Sequence, residues 1–471
     1  MSRLSGIQLI FLTLSFLGCQ SLAQEMEVKP IPVDLSTLYG AESNNTGSPI
    51  GGGAGYANLL SGGDYNVTDA ASFLAALNSA KSGEVIWIEP NSSIDLSGQK
   101  DLYIPQGVTI AGNRGQDGAP GPLIFADQLD QDAILFWVQM GARFTGIRIQ
   151  GPDPDFDKIE ASYETSSTVC MVIGDQDVEI DNCEISNFNR GGIEIYPDGS
   201  DIHIHHNFLH DIHAYPFIAL NKSAPPILVE ANIIHWLWHA TAGSGYPGTG
   251  YEARFNLIIR KKVPDFWLPY DESHAIDMHP YLPVLQERDQ RIAGDEMSVH
   301  HNTFRSEAGS DPSVPTSFDA KVRGTPRILA TFYNNEFLIA KPEQSVVHYD
   351  GNVWVYNNKY GPGGTLIEVA NETTPQILFQ SPPPPNIEVP RLSGSEIPID
   401  ISVNTFGELQ VAEVTILLND EEIYKGASAP SPGEIVLKTA DLDNNLAQHK
   451  LTVNAVDNRG IIATHTTYFT F

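Results

Sequence analysis

The sequence predicts an all-β chain: a parallel β-helix body, a short helix capping its N-terminal end, and a small β-sandwich at the C-terminus. Three observations predict it: a motif that returns with the period of one short coil, strand-type spacing inside that motif, and a proline run that sets off a final stretch of alternating residues. The motif is two apolar residues five and three places before an asparagine. It reads Ile202, Ile204, Asn207; Ile227, Val229, Asn232; Tyr251, Ala253, Asn256; Met297, Val299, Asn302; Ala330, Phe332, Asn335; Val353, Val355, Asn358. The asparagines are 25, 24, 46, 33 and 23 residues apart, one coil lengthened twice by insertion. Such a repeat implies stacked units, none of which buries its apolar face alone.

The apolar pairs have strand spacing, because residues two apart point to the same side of a strand. The leucine pattern of leucine-rich repeats is missing, so a coil of three short strands joined by turns fits better. Each Asn is then a turn residue, able to adopt a left-handed backbone and to hydrogen-bond its stacked equivalents through the side-chain amide. That role is structural.

With 471 residues the chain can hold one large body and one small domain. Its net charge of −31 keeps it soluble and argues against nucleic acid as a partner. The same charge would repel an acidic polysaccharide, so such a substrate would need a local basic patch or a bound cation such as Ca²⁺. Residues 1–23 read as an export signal, with Arg3, an apolar run from Ile7 to Leu17 and Ser21-Leu22-Ala23 before the cut. Nothing later is long and apolar enough to cross a bilayer as a helix. Phe16-Leu17-Gly18-Cys19 is an imperfect lipobox offering a lipid anchor at Cys19, the alternative being a cleaved signal with an incidental cysteine. The expected location is therefore secreted or cell-surface, and the expected state is a monomer. Cys170 and Cys183 are too few for a disulfide scaffold and are expected as buried thiols.

In chain order, residues 24–60 are rich in Gly, Ser, Asn and Pro and read as a linker or draped arm. Thr68-Asp69 opens an Ala-rich helical stretch that leads into the strand Val85-Ile86-Trp87-Ile88, and strands follow at 108–112, 134–138 and 144–151. A helix there would cover an otherwise exposed end of the stack. The coils are assigned to residues 61–375. SPPPPN (381–386) marks a stiff linker, placed at 376–390. Residues 391–471 alternate apolar and polar positions between turn signals and resemble a bacterial immunoglobulin-like sandwich.

The order of capping helix, Val-Ile-Trp-Ile strand and Val-Thr-Ile-Ala-Gly turn resembles the pectate-lyase superfamily of right-handed parallel β-helices. VHHNTF (299–304) followed by VRGTPRILATFYNNEF (322–337) is similar to that superfamily's pattern, although the gap from Pro326 to Asn334 is shorter and the usual glycine and histidine are missing. The resemblance implies a polysaccharide-acting enzyme, and the departure leaves the sugar open.

If the asparagine turn follows the second strand of each coil, the first strands are 191–196, 216–221, 239–243, 274–279, 318–324 and 345–350. Alternation then places Ile193/Ile195, Ile218/Leu220, Ala240/Ala242, Ile276/Met278, Ala320/Val322 and Val347/Tyr349 inward. It places Glu194, Asn221, His239, Asp277, His279, Asp319, Lys321, Arg323, His348 and Asp350 outward on one face. His, Asp, Lys and Arg on adjacent rungs read as an active face. The longest insertions flank the same rungs and bring Arg260, Lys261, Lys262, Trp267, Tyr270 and Tyr281, cations for acidic groups and aromatics for sugar rings.

These residue types suit proton abstraction beside a uronic acid's carboxylate, which needs a cation, a base and a proton donor. Lys321 and Arg323 are the candidate cations, with Lys321 a second candidate base. His279 is the candidate base, with Asp277 as its orienter or as a cation ligand. His239, Glu194, Arg260, Lys261, Trp267, Tyr270 and His348 are candidate substrate contacts. The segment AIDMH resembles the Asp-Pro-His motif of mannuronan C5-epimerases, with Met278 at the proline; this implies motif roles for Asp277 and His279. The leading function is a polysaccharide lyase on a uronic-acid glycan. A C5-epimerase, a hydrolase pairing Asp277 with Asp319 or Glu194, and a glycan-binding adhesin are the alternatives. His274 is read as structural, GPDPDFDK (151–158) as a solvated acidic turn rather than a Ca²⁺ loop, and the histidines of 203–213 as surface residues; no metal ligand is assigned.

Overall fold

The structure is a computed structural model that describes residues 39–153, 167–221, 227–261, 273–281, 291–307, 319–338, 341–348, 351–383, 389–442 and 446–471. The export signal with Cys19, together with Lys262, Trp267, Tyr270, Tyr349 and Asp350, lies outside the described residues, as does most of the 151–158 acidic turn. No helix among the described residues is long and apolar enough to cross a membrane.

The body is a parallel β-helix with three walls. In one representative coil the chain passes from Gly191–Ile195 on the first wall to Ser200–His205 on the second, turns at Asn207, and adds Phe208–His210 to the third. Tyr215–Ala219 then starts the next coil on the first wall. The first wall is a nine-stranded parallel sheet from Leu102–Ile104 to Val346–His348. Inward residues of all three walls merge into one continuous core. The helix Ala70–Leu77 buries Phe73, Ala76 and Leu77 in that core, and Asp69 caps it by accepting from the Ser72 amide.

The asparagines form the expected ladder. Each side-chain amide donates to the next asparagine's Oδ1, at 3.1, 3.0, 2.9, 3.1 and 3.1 Å from Asn207 through Asn358. The same oxygen also accepts the preceding asparagine's backbone N–H, as at Asn232 and Asn256 (2.9 Å). Every member is fully buried. The left-handed backbone falls one place earlier than the sequence reading put it, on His206, Ala231, Phe255, His301, Asn334 and Asn357. Left-handed alanine or phenylalanine costs about 1–2 kcal/mol, and the reversal aims the following asparagine into the stack, where its bonds offset that strain.

The register corrects part of the inward set. Ile193 pairs with Phe217 and Phe217 with Thr241, so Phe217/Ala219 and Thr241/Gly243 face the core while Ile218 and Ala242 face out. At the last rung Ala320 pairs with Val346 and Val322 with His348, so Val346 and His348 face in and Val347 faces out. At 216–221 both alternations are apolar, and at 241–243 and 346–348 the strand has three residues, so period two alone does not choose the face.

Residues 39–57 lie along the outside. Ala41 and Ile50 pack on Phe208, Ile233, Leu257 and Ile259, and Tyr56 donates to Asp181 Oδ2 (2.8 Å). At the other end two antiparallel sheets enclose a separate core. Gln376–Ser381, read from sequence as linker, is a strand of the smaller one. This module docks on the last coil: Arg459 donates to the Ala370 and Thr373 carbonyls (3.1 and 2.6 Å), and Phe406 stacks on Tyr356 at 4.2 Å.

Replacing Asn256 by alanine should cost about 2–4 kcal/mol, because it orphans the Val229 carbonyl and the Asn232 donors inside the stack. Denaturant unfolding checks this, and the exposed Gln106→Ala serves as the control that stays within about 0.5 kcal/mol.

Candidate active site

On the first wall Asp277 pairs in register with Ala242 on one side and Lys321 on the other. Core-facing Ile276, Met278, Ala320 and Val322 bracket the pair, so alternation sends both polar side chains outward. The two segments come from opposite sides of a long insertion and meet only because the coils stack.

Asp277 faces out yet is fully buried, covered by a ring of basic side chains. His279 Nε2 lies 2.6 Å from Oδ2, His274 Nε2 lies 3.0 Å from Oδ1 and His239 Nε2 lies 3.6 Å from Oδ2. Arg323 grips both oxygens, donating from Nε to Oδ1 (2.9 Å) and from Nη2 to Oδ2. Burial alone would raise this carboxyl, but the contacts to His274 and His279 outweigh it, so Asp277 is held well below the usual carboxylate range. Burial pushes His239 down to about 3 and lowers His274 as well, in both cases against the pull of Asp277. These two imidazoles are therefore neutral packing around a fixed anion. His279 is the outermost of the three, with its side chain 27% exposed. Its Nε2 is committed to Asp277, so Nδ1 is the nitrogen left to face a substrate.

Backbone contacts set the position of His279. Its N–H donates to Gly243 O (2.8 Å), and Gly245, in a left-handed conformation, passes so close that a Cβ there would overlap the His279 carbonyl. Tyr215 stacks on His239 (5.5 Å between ring centres) and stands edge-on to His279 (6.1 Å), placing a phenol beside the imidazoles. Tyr246 and Tyr281 pair nearby at 4.5 Å.

The structure thus brings together Asp277, His279, Lys321 and Arg323, as the sequence reading expected, and adds His274 and Tyr215, which it did not assign to the site. His274 was missed because it precedes its strand, where the backbone is irregular and alternation no longer says which way a side chain points; Tyr215, the first residue of Tyr215–Ala219, lies one place before the strand expected at 216–221. Other expected contacts are corrected. His239 is buried against Asp277 instead of lining an open surface. Arg323 is paired with Asp277, so its charge is already matched. Glu194 is buried and paired with Arg190 (3.0 Å), and three rungs, about 14 Å, separate it from Asp277. That distance rules out Glu194 as the second carboxylate of a hydrolase pair with Asp277. Arg260 lies over the Trp236 ring at 5.7 Å on the third wall. Lys261 is paired with Glu307 (3.3 Å) and lies 3.8 Å from Asp211. His348 faces inward and bonds the Glu372 carbonyl (2.8 Å).

His239, His274 and Asp277 place their donor atoms within 4.8 Å of one another. Calcium does not fit this set, because it prefers an oxygen cage and both oxygens of the only carboxylate are held by Arg323.

Asp319, also expected on this face, is buried, and its Oδ2 has no hydrogen-bond partner among the described residues. Burial raises its pKa to about 7, partly opposed by Arg260. An unfolded aspartate titrates near 3.8, so between these values the folded protein holds the extra proton. The stability of the neutral form is present in full below about pH 4 and falls as pH rises towards 7. Asp319→Asn should remove this slope and gain on the order of 4 kcal/mol relative to wild type at pH 8; denaturant unfolding at pH 5 and pH 8 measures it.

No protein-family model matches the chain, and no curated protein matches it. Among solved structures it is similar to the A-module of an Azotobacter vinelandii mannuronan C-5 epimerase (12% identity, TM-score 0.33, 64% of this chain and 79% of that one). It is also similar to a pectin methylesterase (8%, TM-score 0.36, 66% and 93%) and to an alginate lyase of Paenibacillus (12%, TM-score 0.35, 61% and 98%). At these scores the likenesses carry no argument about activity, which rests on the residues described above.

Proposed function

We propose that the protein is a secreted or cell-surface carbohydrate-active enzyme, a polysaccharide lyase that cleaves a uronic-acid glycan by β-elimination at the Asp277 patch. The carrying observation is a buried, ionised aspartate that holds an outward histidine beside a lysine, with a tyrosine across from them. A proton next to a uronate carboxylate becomes labile once the carboxylate charge is neutralised. Lys321, in register with Asp277 on the next rung, supplies that neutralisation. His279 Nδ1 takes the proton from C5, and Asp277 steadies the imidazolium that forms. The C5–H electron pair becomes the C4–C5 double bond, the C4–O bond breaks, and the leaving oxygen takes a proton from Tyr215.

This arrangement matches elimination better than hydrolysis. A hydrolase needs one carboxyl free to donate a proton and another facing water, whereas Asp277 is shielded from both and Glu194 is out of reach. A C5-epimerase would use the same abstraction but return the proton to the opposite face of C5.

With pectate, alginate, ulvan and glycosaminoglycans as substrates, at least one should yield unsaturated products absorbing in the ultraviolet. Reducing ends without that absorbance would point to hydrolysis, and a changed uronate ratio without cleavage to epimerisation. His279→Ala should lower turnover by roughly 10²–10⁴-fold. Tyr215→Phe should slow cleavage while C5–H exchange with D₂O persists. If glycan binding is found but no chemistry, and alanine at His279 and Lys321 leaves that binding unchanged, an adhesin is the better reading.

A further inference from the structure

A second set of titratable side chains lies on the outer face of the second wall, on a different sheet from Asp277. It is built from three successive coils. Glu179 pairs in register with His203, and His205, two residues on and therefore on the same face, pairs with Glu230. The donor atoms of Glu179, His203 and His205 lie within 4.8 Å of one another. His205 Nε2 is 2.9 Å from Glu179 Oε1, and His203 Nε2 is 3.1 Å from Glu230 Oε2. The two imidazole centres are 3.9 Å apart.

Three of these four donors are oriented by an anchor on their far side. Arg143 lies 3.1 Å from Glu179 Oε2, Arg254 donates to Glu230 Oε1 (2.6 Å), and His205 Nδ1 is 2.7 Å from His206 Nδ1. His206 is in turn 2.8 Å from the Thr46 hydroxyl of the N-terminal arm. One oxygen of each carboxylate and the Nε2 of His205 are thus turned towards the cluster, an arrangement of outer contacts that suits a metal centre. The charge also favours a cation. Glu179, Asp181, Glu230 and Glu252 surround the cluster, opposed among the described residues by Arg143 and Arg254, and each arginine is itself paired with one of the flanking acids, Asp181 or Glu252. Two negative charges remain, the number a divalent ion cancels.

We propose that Glu179, His203 and His205 hold a Zn²⁺-class ion between two successive coils, with Glu230 of the third coil as the outer carboxylate beside His203. Two imidazole nitrogens with carboxylate oxygens suit zinc, not calcium or magnesium. The 2.9 Å separation of Glu179 Oε1 and His205 Nε2 is close to the edge of a zinc tetrahedron, about 3.3 Å for bonds near 2.0–2.1 Å. The stack also contains an internal contrast. Further along the same wall Glu252 and His300 repeat the acid–imidazole contact (3.1 Å), and His300 repeats the Nδ1–Nδ1 contact with His301 (2.7 Å). There Ser298 pairs with Glu252 where His203 pairs with Glu179, so the second imidazole is missing and the position cannot complete the donor set.

The test titrates chelator-stripped full-length protein with Zn²⁺ against a chromogenic competitor and repeats it with Co²⁺, read by visible absorption. One ion per chain is expected, with an unfolding midpoint that rises with Zn²⁺ concentration. His203→Ala and His205→Gln should weaken binding at least ~100-fold and abolish that rise, while Asp277→Asn should leave both intact. The His203 side chain is 37% exposed, so metal-free His203→Ala should unfold at the wild-type temperature and serve as the folded control. Undetectable binding at micromolar Zn²⁺, undiminished binding in His203→Ala, or loss of binding in Asp277→Asn would each overturn the assignment.

Discussion

The ladder of buried asparagine amides is the constraint on which the rest of this molecule depends. Each amide nitrogen donates to the next coil's asparagine while its carbonyl accepts from the preceding one, so a coil cannot slip by one residue without stranding polar groups in the interior. The coils differ in length, but the insertions lie between ladder positions and leave the register unchanged. Fixed register is what sets Asp277 beside Lys321 and Glu179 beside His203.

Both polar clusters follow the same electrostatic logic with different outcomes. Asp277 is removed from water and is tolerated because a guanidinium takes both of its oxygens and three imidazoles close over it. The buried charge makes a rigid base for the one imidazole left at the surface. On the second wall Glu179 and Glu230 each give one oxygen to an arginine and the other to an imidazole, and the set keeps an excess of negative charge. In the roles proposed above, one cluster moves a proton and the other holds a cation.

The accessory parts are not passive appendages to the tube. The arm contributes Tyr56 and Thr46 to polar contacts at the second wall and apolar cover to the third. The C-terminal module binds carbonyls of the last coil through Arg459 and extends its aromatic stack through Phe406. An open end of a β-helix presents unpaired edges and apolar surface, and these contacts with the Ala70–Leu77 helix cover both ends.

The sequence by itself determined the coil, its period, the structural part of the asparagines and the outward direction of Asp277, His279, Lys321 and Arg323. Each of these follows from short-range periodicity, which the backbone enforces locally. It did not settle the facing of 216–221, where both alternations are apolar, or of 239–243 and 345–348, where the strand is short, nor the recruitment of His274 and Tyr215 to the Asp277 patch. Nor could it show that Arg323 would be matched by Asp277, or that Glu194 would lie three rungs away. Those outcomes depend on which coil stacks on which and how far apart their side chains come to rest, and distances between remote segments exist only once the chain has folded.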